Sequence, residues 1–464
     1  MAHNMLGSQR KWWTLVAVCL GTFMLLLDVT IVIVALPDIR TDLGARVSDV
    51  QWIVDAYALS LAALLLTAGS LADLLGRRRV YVAGLALFTA ASALCGLAQS
   101  PLMLILSRAV QGVGGAVMFS TALALLAQTF HGRERGTAFG IWGAVTGIST
   151  ALGPVLGGVL TSGLSWHWIF LVNLPVGIAA IIITLRAVEE VRPEHARRID
   201  VPGVAVFTAG LLSLVYGLIR ASDHGWTDGL VVGCLVGAMV LLAAFPLVER
   251  AVPHPMLDLA LFRKPTFVGG LVAAFGMNGS LFAIMLYLVL YLQDQLGYTA
   301  LETGLRIMLI TGATLLTAIP AGRLADRYPR LLIAPGLALV GAGLLLMRGL
   351  DADTSWTHLI PGFVVAGLGS GLVNPTLAST AVGVVQPRFA GMASGINTTA
   401  RQVGIAASVA ALGSILAAHQ RGASAGSFAS GLDELLLIVA LVAFVAAAFA
   451  AVLIRPRDLV AVSR

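Results

Sequence analysis

Fourteen apolar runs, each long enough to cross a hydrocarbon layer, leave this chain little choice of fold. A helical span needs about 20 apolar residues. The runs fall near 12–36, 51–72, 80–98, 102–128, 137–162, 167–186, 202–220, 229–248, 267–292, 303–322, 331–349, 358–385, 390–417 and 433–454. Inside lipid every backbone polar group needs a partner within its own segment, so such runs read as helices. Composition agrees, because 58% of the 464 residues are hydrophobic and only 11% are charged, against roughly 25% charged in soluble domains. The fold class expected is an all-α polytopic membrane protein.

Arginine placement orients it. An even count of spans puts both termini on one side. Twenty-one basic residues, from Arg10 and Lys11 through Arg77, Arg78, Arg79 and Arg327 to Arg464, fall in the loops of that side. The opposite loops hold five: Arg40, Arg46, Arg220, Arg348 and Arg421. The positive-inside rule then makes both termini cytoplasmic in a multi-pass inner or plasma membrane protein. The first run is too long for a signal-peptide core and contains Asp28, so it is read as a retained helix. Loops are short, the longest being the links 187–201 and 249–266. These flank the seventh and eighth helices and mark them as a hairpin set between two six-helix bundles. The expected units are 1–186, 187–266 and 267–464. Gly69-Ser-Leu-Ala-Asp73-Leu-Leu-Gly76-Arg77 recurs as Gly322-Arg-Leu-Ala-Asp326-Arg327-Tyr-Pro-Arg330. Two copies on the same side imply halves related by an axis along the membrane normal, with a solute site between them.

Other classes of function find little support. Cys19, Cys95 and Cys234 lie inside apolar runs with no metal-ligand spacing and read as packing residues. The histidines are scattered, and neither a phosphate-binding Gly-rich loop nor a nucleophile–base set is present. No cofactor, metal, ATP or nucleic acid is expected, and the chain is not expected to be an enzyme.

Four motifs carry the chemistry. In the first helix, Leu27-Asp28-Val-Thr30-Ile-Val-Ile-Val-Ala35-Leu-Pro37 places a carboxylate about 12 Å inside the span at 1.5 Å per residue. In the fourth, Leu106-Ser-Arg108-Ala-Val-Gln111-Gly112-Val-Gly114-Gly115 places Arg108 at a similar depth, about 10 Å in. An intramembrane arginine is costly unless paired or hydrated, and Asp28 is its candidate partner. The loop Gly69-x-Leu-Ala-Asp73-x-x-Gly76-Arg77-Arg78-Arg79 reads either as a gate element or as an ordinary basic turn that fixes topology. In the fifth helix, Gly147-x5-Gly153-Pro154-x-x-Gly157-Gly158 combines a helix-bending proline with close-packing glycines; a plain packing seam accounts for the glycines but not for their order around Pro154. Asp55 in the second helix, only about 6 Å in by the same rise, reads equally as a wetted residue favoured by the helix dipole and as a second coupling or cation-binding acid. In the second half Asn374-Pro375 and Asn397-x-x-x-Arg401-Gln402 are polar exceptions. Arg401 must find an acid, carbonyls or water, and no acid lies deep in helices nine to fourteen.

In order and position these motifs resemble the major facilitator superfamily, and most of all its fourteen-helix drug:proton antiporters, the EmrB/QacA-like exporters. The resemblance covers the whole chain. It implies that Asp28, Arg108 and Asp55 serve proton coupling, and that the loop of Gly69, Asp73, Gly76, Arg77 and Arg78, with Asp326 in the repeat, latches the cytoplasmic gate. It also makes the fifth-helix glycines and Pro154 a mark of export. The second loop departs by having Pro329 after Tyr328 in place of the second glycine. The first helix has Ile33 where the family usually has Asn. Candidate cavity residues are Tyr57, Gln111, Phe119, Trp142, Asn278, Phe282, Tyr287, Asn374, Asn397 and Arg401. The function implied is proton-coupled export of lipophilic or cationic drugs or antibiotics by alternating access, carried out by a monomer in the bilayer and driven by the proton gradient. An exporter of one metabolite or natural product would use the same machinery; a solute:proton symporter, or a membrane sensor or enzyme, fits less well.

Overall fold

The computed structural model describes residues 2–130, 132–190, 200–253, 255, 259–325, 327–350, 354–385, 390–420, 427–455 and 458. The fourteen membrane helices are α1 Ala2–Asp42, α2 Val47–Leu75, α3 Arg77–Gly96, α4 Pro101–Thr129, α5 Gly132–Gly163, α6 Trp168–Ala187, α7 Val201–His224, α8 Gly229–Ala251, α9 Pro265–Gln295, α10 Ala300–Leu324, α11 Pro329–Leu346, α12 Ile360–Gly383, α13 Ala390–Gln420 and α14 Ser427–Leu453. Thirteen are long and apolar enough to cross a bilayer. The other, α2, is 29 residues long.

Several helices outrun their apolar cores. The first reaches Asp42 and the second already begins at Val47, because helix can continue into water past the last apolar residue. Their turn, and every turn on the same side, forms what is called below the far face; the termini face carries both chain ends. Local chemistry sets the ends. Thr299 and Glu302 form a reciprocal capping box at α10, satisfying amides that α10 cannot. Asp228 caps α8 by accepting from the Leu230 and Val231 amides and from Arg220. The Arg220 guanidinium, then those amides, hold its carboxyl below the usual range. Gly76 joins α2 to α3 at φ 102°, a backbone geometry that favours glycine.

Helices α1–α6 form one half, in which α2 and α3 pack on α4 while α1 packs on α5 and α6. Helices α9–α14 repeat the pattern, with α12 against α10 and α11, and α9 against α13 and α14. The halves meet where α2 packs on α13 and α5 on α10. Helix α7 leans on both α2 and α13, and Leu211, Val215 and Ile219 share a buried cluster with Ala58, Leu59, Ala62, Ala406 and Ala410. It thereby covers the seam between the halves. Helix α8 packs mainly on α7 and is only 17% buried along its most apolar stretch, which leaves it facing lipid.

The contacts between halves concentrate at the far face. Arg40 pairs with Asp294 at 3.0 Å, Gln293 donates to the Val34 carbonyl at 2.8 Å, and the Leu301 amide donates to Ser162 Oγ at 3.1 Å. Gln51 donates to Tyr287 Oη at 3.4 Å. Nearer the termini face the described cross-half hydrogen bond is that from Thr399 to the Ala62 carbonyl, 3.3 Å. The far face is therefore closed. Sequence position alone suggests a solvated acid at Asp294, an interface anchor at Trp166 and a partner for Glu302 in Arg306 one turn away, and the structure corrects all three. Asp294 is not simply solvated but latches the two halves. Trp166 is not an interface anchor: it is 3% exposed and donates to Asp42 Oδ2 at 2.9 Å. Arg306 does not pair with the Glu302 carboxylate, which is occupied in the cap; it donates to the Glu302 carbonyl and stacks on Tyr298 and Trp356.

The fifth-helix glycines account for the close approach. A Cβ on Gly157 would lie 2.7 Å from the Ile31 carbonyl of α1, and one on Gly158 would lie 2.6 Å from Leu301 Cα of α10. Gly153 likewise meets Thr30 and Ile31, the Pro154 carbonyl lies against Gly304, and Gly147 faces Leu315. Gly153 and Gly157 thus fit α5 to its own half, while Gly158 fits it to the other. Gly158→Val should push the halves apart at the far face. Labelling of a cysteine at position 51 (Gln51→Cys) by an impermeant maleimide should then rise several-fold, and unchanged labelling would contradict this packing role.

Candidate functional site

Asp28 and Arg108 meet directly. The Arg108 Nη1 donates to Asp28 Oδ2 in a short ion pair, with the two side chains 0% and 3% exposed. Long runs of helix put them there: Asp28 is about 21 Å from the Asp42 end of α1, and Arg108 is about 10 Å from the start of α4. Asp28 lies further from the end of its helix than the apolar run suggests, because α1 continues to Asp42, and its carboxylate still meets Arg108.

Neither charge could remain in a dry interior with one hydrogen bond. A buried pair offsets its desolvation only when its other donors and acceptors are also satisfied. Arg108 Nη1 also donates to Gln111 Oε1 at 2.6 Å, and Nε donates to the Ile53 carbonyl at 3.2 Å. Its guanidinium lies 4.2 Å from the Tyr57 ring centroid and 5.9 Å from that of Phe170, within cation–π range. Asp28 Oδ1 accepts from Gln111 Nε2 at 2.8 Å and from Asn173 Nδ2 at 3.2 Å. Ser92 Oγ accepts from both amides, at 2.9 and 3.4 Å, and the Cys95 thiol donates to Gln111 Oε1 at 3.7 Å. Cys95 is therefore part of this network as well as of the packing. Ser92 and Asn173 are additions that the sequence did not reveal. A signal exists for Asn173, an isolated amide in the apolar run 167–186. Tyr57 and Gln111 are buried around the pair, with no open surface for a solute in this conformation.

Asp55 lies deeper than the wetted position near the helix start that its sequence context suggests. Because α2 starts at Val47, Asp55 lies about 12 Å in, and it is 0% exposed rather than wetted. Neither carboxylate oxygen has a hydrogen-bond partner. One turn earlier Gln51 reaches Tyr287, whose hydroxyl donates to the Val409 carbonyl at 2.5 Å, so Asp55 sits in the seam where α2 meets α9 and α13. A charged group held in such a place without partners is costly.

In the other half Arg401, Asn397 and Asn374 come together. Arg401 Nε donates to Asn397 Oδ1 and Nη1 to Asn374 Oδ1, both at 3.2 Å, and Nη2 donates to the Asn374 carbonyl at 3.3 Å. The sequence left acid, carbonyl or water open; the structure supplies a carbonyl and two amide oxygens. The remaining cavity candidates are dispersed. Phe119 and Trp142 form a tilted pair 6.3 Å apart, and Trp142 Nε1 donates to Thr22 at 2.9 Å. Asn278 bonds to the Ala274 carbonyl of its own helix at 2.9 Å. It opens a widened turn, Asn278–Phe282, and Phe282 packs against the core.

The basic loop is clamped within its own half. Arg77 donates to the Ala124 carbonyl at 3.2 Å and to Gln128 at 3.4 Å, while Arg78 reaches the Leu185 carbonyl. Glu190 accepts from the Arg78 and Arg79 amides at 3.2 and 3.1 Å, which places an acid at the α3 N-terminus where the dipole favours it. The Asp73 side chain and residue 326 lie outside the described residues; Gly69 is within α2 and Gly76 at its end.

The chain belongs to the major facilitator superfamily, whose family model matches residues 18–409. It is similar to the tetracenomycin C resistance and export protein of Streptomyces glaucescens, 36% identical over 88% of this chain and 77% of that protein. It is also similar to the puromycin resistance protein pur8 of Streptomyces alboniger, 38% identical over 88% and 82%, and to the multidrug resistance protein Stp of Mycobacterium tuberculosis, 38% identical over 87% and 76%. Among solved structures, a bacterial homolog of the human lysosomal transporter Spinster, inward-facing and unoccupied, superposes with TM-score 0.66 at 16% identity over 98% of this chain and 99% of that one. That likeness concerns the fold.

Removing one member of the charged pair should cost more than removing both. Arg108→Ala strands Asp28 and should lower stability by about 3–5 kcal/mol. The double variant Asp28→Asn/Arg108→Gln should recover most of that loss in thermal unfolding of detergent-purified protein. Equal losses in the single and double variants would argue against the pairing.

Proposed function

We propose that this protein is a proton-coupled antiporter that exports lipophilic, antibiotic-like molecules from the cytoplasm. The observation that supports it most is the Asp28–Arg108 pair, an ionisable couple inside the membrane with a complete hydrogen-bonded shell. Relatives named for resistance and export support the direction of transport. On this reading the Arg-rich termini face is cytoplasmic and the far face lies outside the cell. The closed far face then makes this conformation the inward-facing one, open to solute from the cytoplasm.

The cycle follows from the charges. With Asp28 ionised and paired, the inward state accepts solute. Once the far face opens, a proton from outside neutralises Asp28 and releases Arg108 from its pair. The rearranged network lets solute leave, and the neutral form returns to the inward state, where the proton is lost. Each ligand moves the equilibrium only through its different affinity for the two states. Asp55 is the second proton site: exposed to water when the α2–α13 seam parts, dry and neutral when it closes. It offers no surface to a cationic solute in the inward state. The loop of Gly69, Asp73, Gly76, Arg77 and Arg78, with Asp326, latches the cytoplasmic gate in the opposite state. Export requires no cofactor, and a single chain supplies both halves of the pathway.

A panel of acidic, neutral and basic lipophilic antibiotics is the suitable probe in an efflux-deficient host. Protection against them should vanish with a protonophore, and protection that survives collapse of the gradient would contradict coupling. In proteoliposomes Asp28→Asn should abolish uphill transport, whereas Asp55→Asn should lower the number of protons moved per solute while leaving transport measurable.

A further inference from the structure

Arg108 and Arg401 are both arginines deep in the membrane, yet only Arg108 has an acid. Arg401 lies 11 residues, about 17 Å, from the start of α13 and about 28 Å from its other end. Among the described residues it has no salt bridge, and the acids of α9–α14 lie at helix ends: Asp294, Glu302, Asp433 and Glu434 at the far face. Asp55 is on the neighbouring α2 but only about 12 Å from the far face, some three turns away along the axis. Oxygen atoms of neutral groups fix the Arg401 guanidinium in place without cancelling its charge.

Donors remain unspent. A guanidinium has five N–H groups, and three bonds are made, one from each nitrogen. Asn397, only 4% exposed, holds Arg401 Nε through its oxygen, and its Nδ2 is buried with no partner. Asn374 turns its own Nδ2 to Ser370, at 3.0 Å from Oγ, so its oxygen faces the guanidinium. The two asparagines therefore lock the arginine in one orientation. They leave free N–H groups on the fork and on Asn397 that only an acceptor from elsewhere can satisfy. Arg401 itself is half-buried, at a depth reachable from the termini face while the far face is closed.

We propose that Arg401, held by Asn374 and supported by Asn397 Nδ2, is the subsite for an organic anion, and that the exported molecules carry a carboxylate or an ionised phenol or enol on a lipophilic body. This rests on the export reading above and gives it a substrate class. A planar fork suits an oxyanion of two adjacent oxygens in a bidentate contact. In a low-dielectric site the solute supplies the counter-ion that the fold omits. Outward movement of an anion is also favoured by an inside-negative potential.

The test uses 1-pyrenebutyrate and its methyl ester, which share one body and differ in charge. Their binding to the full chain in nanodiscs is followed by fluorescence anisotropy, with empty nanodiscs subtracted. Wild type should bind the acid at least tenfold more tightly than the ester. Arg401→Gln should bring the acid to the level of the ester and leave the ester unchanged, and Arg401→Lys should retain part of the preference. Equal binding of acid and ester by wild type, or an equal loss of both in Arg401→Gln, overturns the subsite. Protonophore-sensitive protection of cells against a panel of acidic, neutral and basic lipophilic antibiotics is scored separately on wild type. If it persists while the acid preference is absent, the anion subsite fails and export stands; if it is absent, the export reading fails.

Discussion

A charge in hydrocarbon must be neutralised or hydrated, and that requirement organises the interior of this protein. Arg108 cannot leave water alone, so α4 has to bring it against Asp28 on α1. That contact in turn requires Gln111, Ser92 on α3 and Asn173 on α6 to satisfy the remaining lone pairs and N–H groups. Five side chains from four helices are thus committed by one pair. Such a shell also makes the pair responsive, because neutralising Asp28 alters every bond in it. An apolar replacement of the pair could be as stable but would have nothing to titrate.

The halves share a plan and differ in charge. The first is electrically complete, with Arg108 answered by Asp28. The second leaves Arg401 answered only by amide and carbonyl oxygens. Between them run two seams built by different means: α5 against α10 through glycine and the Pro154 carbonyl, and α2 against α13 through Gln51 and Tyr287 with Asp55 beside them. Glycine contact permits sliding without a polar penalty. The α2 seam holds a carboxyl whose cost depends on whether the seam is wet. On the proposed antiport reading, the proton acts at this interface as well as at the buried pair.

Much of this was legible in the sequence, since length, apolarity and arginine bias act locally and leave a linear record. The fourteen helices and the meeting of Asp28 with Arg108 follow from that record. Helix ends were less legible, because helix runs on into water and hydropathy stops at the last apolar residue. The four residues by which α2 was begun too late misplaced Asp55 near the surface, and its burial by the opposite half has no local signature at all. Asn173 and Ser92 were missed for a similar reason: one small polar residue in an apolar run does not reveal which face it occupies. Arg306 found aromatic rings and the Glu302 carbonyl rather than the Glu302 carboxylate, which the helix cap had already taken.

In the proposed cycle the charge on Asp28 sets which face is open. The direct measurement is the distance between spin labels at Leu164→Cys and Gln295→Cys, on opposite halves at the far face, in a background lacking the three native cysteines. A short distance is expected at acid pH and a growing population of a longer one as pH rises, with Asp28→Asn holding the short distance throughout. An Asp28→Asn protein that keeps the pH dependence of its parent would contradict it.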